Sequence, residues 1–231
     1  MRTSVIVGVA MVALMMGAGV GHGYLGPVTP PRLADHDLRV RSIAVIGDSY
    51  TTGGPEGGLG ANGWTTRAGQ VLLRDGKPVA ASVAAEGGAG YGVRGNHGNL
   101  FVDLVPRAVT ADDAVVVFFG SRNDDVADPG LLAGTMHDAL ARARDLAPNA
   151  TLLVIGPPWP TADVPAAIWR VRDTLAAQTW LVGGEFVDPL AEGWFVGRPD
   201  LIGADGIHPT DAGHAYLAER IAPLISARLP G

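Results

Sequence analysis

Three residues far apart in the chain have the types and local spacing that nucleophilic acyl chemistry needs. Ser49 stands in Gly47-Asp48-Ser49, and Asp205 and His208 lie three apart in Asp205-Gly206-Ile207-His208-Pro209. A serine hydroxyl is a poor nucleophile until a base within hydrogen-bond reach takes its proton, and that base works best when a carboxylate fixes its tautomer. His208 is the candidate base for Ser49, and Asp205 the acid that orients it. Acyl transfer also builds negative charge on the attacked carbonyl oxygen, so the site needs hydrogen-bond donors there. The backbone amides of Ser49 and Gly88, with Gly87 as the alternative to Gly88, and the side-chain amide of Asn123 are the candidates. Taken singly these signals are weak, since Gly-Asp-Ser most often marks a turn and Asn123-Asp124 a cap. The complete set, in this order, points to a site.

Something must bring position 49 to position 208. Short β-branched runs alternate with longer Ala-rich or Leu-rich stretches, which predicts βαβ units around a parallel sheet covered on both faces. The runs place strands at 42–46, 79–84, 114–119, 151–155 and 185–187, and helices at 63–73, 131–146, 165–179 and 211 to about 229. The last helix shows Leu217, Ile221, Leu224 and Ile225 at helical spacing, has Thr210 placed to cap it, and contains Pro223, which is expected to kink it or move its register. In an open parallel sheet, ligands sit beyond the carboxyl ends of the strands. Segments 47–49, 87–90 and 120–124 each follow a predicted strand, so with 205–209 they can meet at one rim.

Composition narrows the remaining choices. With 231 residues, 47% of them hydrophobic, the chain can bury one sizeable core, and one catalytic domain is the expectation. A net charge of −6, with scattered arginines and a single lysine, Lys77, does not suit a nucleic-acid partner. Cysteine is absent, which excludes disulfides and thiolate metal sites. Arg2 precedes an uncharged run over 5–20 that ends in small residues, the layout of an export signal. The run is slightly short for a bilayer span and no clean A-x-A site follows, so cleavage and retention as an anchor are both open. The chain therefore divides into a signal peptide or N-terminal membrane anchor over 1–25, a Pro- and Gly-containing linker over 26–40, and a catalytic domain over 41–231. A secreted or cell-envelope location is expected.

The set of motifs resembles the SGNH (GDSL) hydrolase family. Gly-Asp-Ser followed by Tyr50-Thr51, the Gly-rich stretch at 87–90, Asn123-Asp124 after the third strand and Asp-x-x-His near the end stand in that family's order, from about Ser42 onward, and Trp64 also fits. The resemblance implies a three-layer α/β/α sandwich with a flavodoxin-like five-stranded parallel sheet. It also implies an esterase without cofactor or metal, the roles given above, and Asp48 as a support of the nucleophile turn. Two departures stand out. The third segment usually reads Gly-x-Asn-Asp, whereas here Ser121 lies two before Asn123. The second lacks the Asn that often precedes its glycine by five, the place being held by Val83 if Gly88 is the donor and by Ser82 if Gly87 is. The family's commonly shallow cleft implies short acyl groups, carried by envelope glycans or lipids, and a monomer is expected. An acyltransferase using the same site, a lipase, lysophospholipase or thioesterase, and a non-catalytic carbohydrate-binding protein are the alternatives. The Gly-x-Ser-x-Gly elbow of α/β-hydrolases is absent.

Other features have plainer readings. His214 near Asp205 lacks the motif of a metal site, and the Gly-rich run over 53–60 reads as a flexible turn rather than a phosphate loop. Pro157, Pro158, Trp159 and Pro160, and the Trp194-Phe195 pair, either wall a cleft or only pack loops. Arg122 reads as part of a surface ion pair, ahead of a contact to an anionic substrate.

Overall fold

The structure, a computed structural model, describes residues 39–230, so the expected signal or anchor over 1–25 and nearly all of the linker lie outside the described residues. Five strands, β1 (Arg41–Gly47), β2 (Val79–Ala85), β3 (Asp113–Phe119), β4 (Thr151–Ile155) and β5 (Glu185–Val187), form one parallel sheet in the order β2-β1-β3-β4-β5. Each differs from its expected bounds by no more than one residue at either end. Among the described residues six α-helices accompany them: α1 (Ser49–Thr52), α2 (Trp64–Arg74), α3 (Phe101–Ala108), α4 (Pro129–Leu146), α5 (Ala166–Leu181) and α6 (Asp211–Ser226).

Alternation along the strands decides which helices lie on which face, because successive side chains of a strand point to opposite sides. Ile43, Val45, Val115, Val117, Leu153 and Ile155 pack with Trp64, Ala68 and Leu72 of α2 and Leu217, Ile221 and Ile225 of α6. Ala44, Ile46, Val116, Phe118, Leu152 and Val154 pack with α3, α4 and α5 through Phe101, Leu104, Met136, Leu140, Val171 and Leu175. The result is the expected α/β/α sandwich. Helix α6 is capped by Thr210, whose Oγ1 accepts from the Gly213 amide at 3.1 Å, and it runs through Pro223 to Ser226. Helix α3 was not among the expected elements. It buries Phe101, Leu104, Val105 and Ala108, an i, i+3, i+4, i+7 set, and Pro106 within it conceals the pattern from a reading by propensity.

This strand order fixes where the site lies. From β1 the chain moves to β2 on one side, then crosses to β3 on the other, so the connections leaving β1 and β3 diverge and open a crevice at their carboxyl ends. Ser49 follows β1 by two residues, and Asn123 follows β3 by four.

Candidate active site

At the end of β1 the buried Asp48 caps the single-turn helix α1, its Oδ1 accepting from the Tyr50 amide at 2.9 Å. Ser49 thereby becomes the first residue of a helical turn at the mouth of the crevice. Its own amide has no acceptor among the described residues, as expected of the first N–H groups of a helix. Gly120, with φ of 143°, lies against Asp48, and a Cβ there would collide with the Asp48 carboxyl. The next residue, Ser121, takes the left-handed conformation at φ of 78° and starts the 3₁₀ turn Arg122–Val126 that carries Asn123.

The segment after β5 brings the other half. Asp205 Oδ1 accepts from the amides of Ile207 and His208 at 2.8 and 2.9 Å, and its Oδ2 lies 2.5 Å from His208 Nδ1. His208 Nε2 lies 3.1 Å from Ser49 Oγ. Hydroxyl, imidazole and carboxylate thus stand in hydrogen-bonding succession across 159 positions of sequence. Burial raises the Asp205 carboxyl, and the ring and amide hydrogen bonds of His208 and the Ile207 amide more than offset this, so that it is lowered to about 2. It is therefore ionised at any neutral pH, able to hold the Nδ1–H tautomer and leave Nε2 as acceptor for the Ser49 proton.

Two clasps keep this loop in place. The buried Tyr50 hydroxyl donates to the Ile207 carbonyl at 2.6 Å, which joins the neighbour of Ser49 to the neighbour of His208. The Gly203 amide donates to the His208 carbonyl at 2.8 Å, beside an antiparallel bridge between Ile202 and Pro209. The run over 53–60, expected to be a flexible turn, is pinned instead. Gly58 donates to Asp211 Oδ1 at 2.8 Å, and Glu56 Oε2 accepts from Ala204 at 3.0 Å, next to the loop that carries Asp205 and His208.

Gly87, Gly88 and Asn123 line the same cleft as Ser49 and His208, a cavity of about 300 Å³. Neither the Gly87 nor the Gly88 amide has an acceptor among the described residues, so both stand as donors. The side-chain amide of Asn123 gives one hydrogen to the Ala89 carbonyl at 2.9 Å, which fixes it against the glycine loop and leaves the other hydrogen for a ligand. Two residues here had no counterpart in the sequence reading. Asn96 reaches the cleft beside Gly87 and Gly88, and buried Glu86 organises the intervening loop by accepting from the His97 and Asn99 amides at 2.6 and 3.3 Å. Both belong to a loop without periodicity, and the only signal for Glu86 was its isolation among Ala and Gly.

The structure separates the readings of the other residues. Trp194 and Phe195 are buried in the core beneath the loop, which is their packing role, whereas Trp159 remains half-buried at the surface with Arg122 stacked on it. His214 is buried, and its Nδ1 accepts from the Trp64 amide at 3.4 Å. Arg122 makes no ion pair among the described residues, contrary to its expected role.

Burial pushes the Asp48 carboxyl up to about 7, with nearby Asp124 adding to the rise and the Tyr50 amide and His208 opposing it. The folded state therefore retains a proton that the unfolded chain, at its ordinary 3.8, has released. Asp48's contribution to stability is full below about pH 4 and is lost as pH climbs to about 7. Urea denaturation of wild type and Asp48→Asn at pH 5 and pH 8 should show the stability advantage of wild type shrinking at the higher pH. His214, which is not coupled to Asp48, titrates in both proteins and cancels in that difference. An advantage that grows with pH would contradict this environment for Asp48.

A family description for GDSL-like lipases and acylhydrolases matches residues 45–216, and the chain belongs to that family. It is a carboxylic ester hydrolase by that membership. Over 227 residues it is 56% identical to the GDSL lipase Rv0518 of Mycobacterium tuberculosis (strain H37Rv), covering 97% of this chain and 98% of that one. Among solved structures it resembles TesA, with 24% identity, a TM-score of 0.65, and coverage of 82% of this chain and 100% of that one. It is also similar to a lipase/acylhydrolase from Enterococcus faecalis, with 17% identity, a TM-score of 0.63, and coverage of 83% and 98%. These two likenesses show the fold.

Proposed function

We propose that the protein is an exported serine esterase that cleaves short acyl groups from glycans or lipids of the cell envelope through an acyl-enzyme on Ser49. The observation that carries this reading is the 3.1 Å approach of His208 Nε2 to Ser49 Oγ, with Asp205 at 2.5 Å behind the imidazole. Ser49 Oγ attacks the ester carbonyl carbon while its proton passes to Nε2. The oxyanion that forms is met by the Ser49 amide, the amide of Gly88 or Gly87, and the remaining N–H of Asn123. Collapse breaks the bond to the alcohol, which leaves with the proton from Nε2. Water then repeats the sequence on the acyl-enzyme, giving the carboxylic acid and restoring the serine hydroxyl.

The preference for short acyl groups is supported by the lining of the cleft. Asn96, Arg122, Asn123 and His208 are among the side chains that line it, Ile207 is the aliphatic one, and the Tyr50 ring is almost wholly buried. A long alkyl chain would gain little burial there, at about 0.8 kcal/mol for each CH₂ removed from water. Export is supported by the uncharged run over 5–20 behind Arg2, which also offers association with the envelope. The protein acts as a monomer in this reading, with no nucleic-acid partner.

Purified protein should hydrolyse 4-nitrophenyl acetate and butyrate with kcat/KM at least about tenfold above that for the octanoate, since a second-order constant reports transition-state binding. It should also release acetate from acetylated glycans. Rising kcat/KM toward octanoate would overturn the short-acyl preference, and absence of turnover on every ester would overturn the hydrolytic role.

A further inference from the structure

Arg122 occupies an unusual position for a surface arginine. It lines the cleft that holds Ser49 and His208, and it immediately precedes Asn123 on the turn opened by the left-handed Ser121. Its guanidinium carbon lies over the Trp159 ring, 4.6 Å from the centroid, a cation–π contact that fixes the head group in place. Trp159 is itself tethered, its Nε1 donating to the Asp163 carbonyl at 3.0 Å.

No acidic side chain among the described residues lies within 4 Å of Arg122, and its Nε is buried without an acceptor. This occurs in a protein of net charge −6, where arginines 172, 198, 220 and 228 all find carboxylates. The one carboxyl among the residues lining this cleft, Asp48, is only 1% exposed and sits beneath the nucleophile turn. A positive charge therefore lines the substrate space with no carboxylate of the described residues paired to it. Guanidinium groups bind carboxylate and phosphate through paired N–H···O bonds, roughly twice as strong as neutral ones.

We infer that Arg122, stacked on Trp159, forms a subsite for an oxyanion, a carboxylate or phosphate carried by the ester substrate within reach of its scissile bond. This rests on the esterase reading above and narrows it to acidic esters. The subsite adds binding for one substrate class and takes no part in the proton transfers.

Two matched pairs test it and distinguish the sources of the anion. 4-Nitrophenyl monoadipate against 4-nitrophenyl hexanoate places a carboxylate on the acyl side, and 1-acetylglycerol 3-phosphate against 1-acetylglycerol places a phosphate on the alcohol side. Wild type should favour the anionic member of at least one pair by about tenfold or more in kcat/KM, and added NaCl should shrink that ratio. Arg122→Gln should bring the ratio to about one, and Arg122→Lys should retain part of it. The wild-type ratios require no variant to fold. Ratios near one in both pairs, or a preference that survives in Arg122→Gln, would overturn the subsite. Hydrolysis of the neutral esters that persists in Ser49→Ala would instead overturn the esterase reading beneath it.

Discussion

Ser49→Ala is expected to lower kcat on 4-nitrophenyl acetate by roughly 10⁴- to 10⁶-fold, the scale seen when a nucleophile that works with its base is removed. The methyl group leaves His208 Nε2, now 3.1 Å from the serine oxygen, with no proton to accept and leaves the acyl group with no oxygen to attach to. His208→Ala should cost about as much, because without the base the hydroxyl remains protonated through the attack. The double variant should be no slower than the worse single one, since the pair works as a unit. The residual rate in all three comes from binding and the oxyanion donors. Stopped assays on the three variants decide the matter: a double loss equal to the product of the single losses would mean that the two residues act independently.

Asp205→Asn should lower kcat by about 10³- to 10⁴-fold while the fold stays intact. The Asn carbonyl can still accept from the Ile207 and His208 amides, as Asp205 Oδ1 does at 2.8 and 2.9 Å. Its NH₂ group then takes the place of Oδ2 and donates to His208 Nδ1. The ring proton is forced to Nε2, which donates to Ser49 instead of accepting from it. Because the Asp205 side chain is a third exposed, the thermal midpoint should hardly move. A kcat loss under tenfold with an unchanged midpoint would remove Asp205 from the relay.

The sheet was legible because its strands are β-branched runs bounded by glycine and charge, as in Val115 to Phe119 of the third strand. The hydroxyl, imidazole and carboxylate were legible from type and order, and the strand-end rule placed them at one rim. Three things were hidden. Helix α3 presents a sound apolar stripe, but Pro106 contradicts it locally, and packing against β1 and β2 prevails. The glycine loop favoured Gly88 with Gly87 as the alternative, and the folded chain leaves both amides open, so it does not separate them. The unpaired state of Arg122 is a property of what does not lie near it, which no local pattern in a sequence encodes.

The clasp from Tyr50 to Ile207 has a consequence for how the protein is made. Ribosomes deliver the nucleophile 159 residues before its base, so a nascent or truncated chain ending ahead of position 205 carries a serine with no partner. Catalytic competence arrives only with the last part of the chain, when the loop before α6 docks under the tyrosine hydroxyl. Until then the nascent polypeptide lacks the base that would make its serine reactive toward esters.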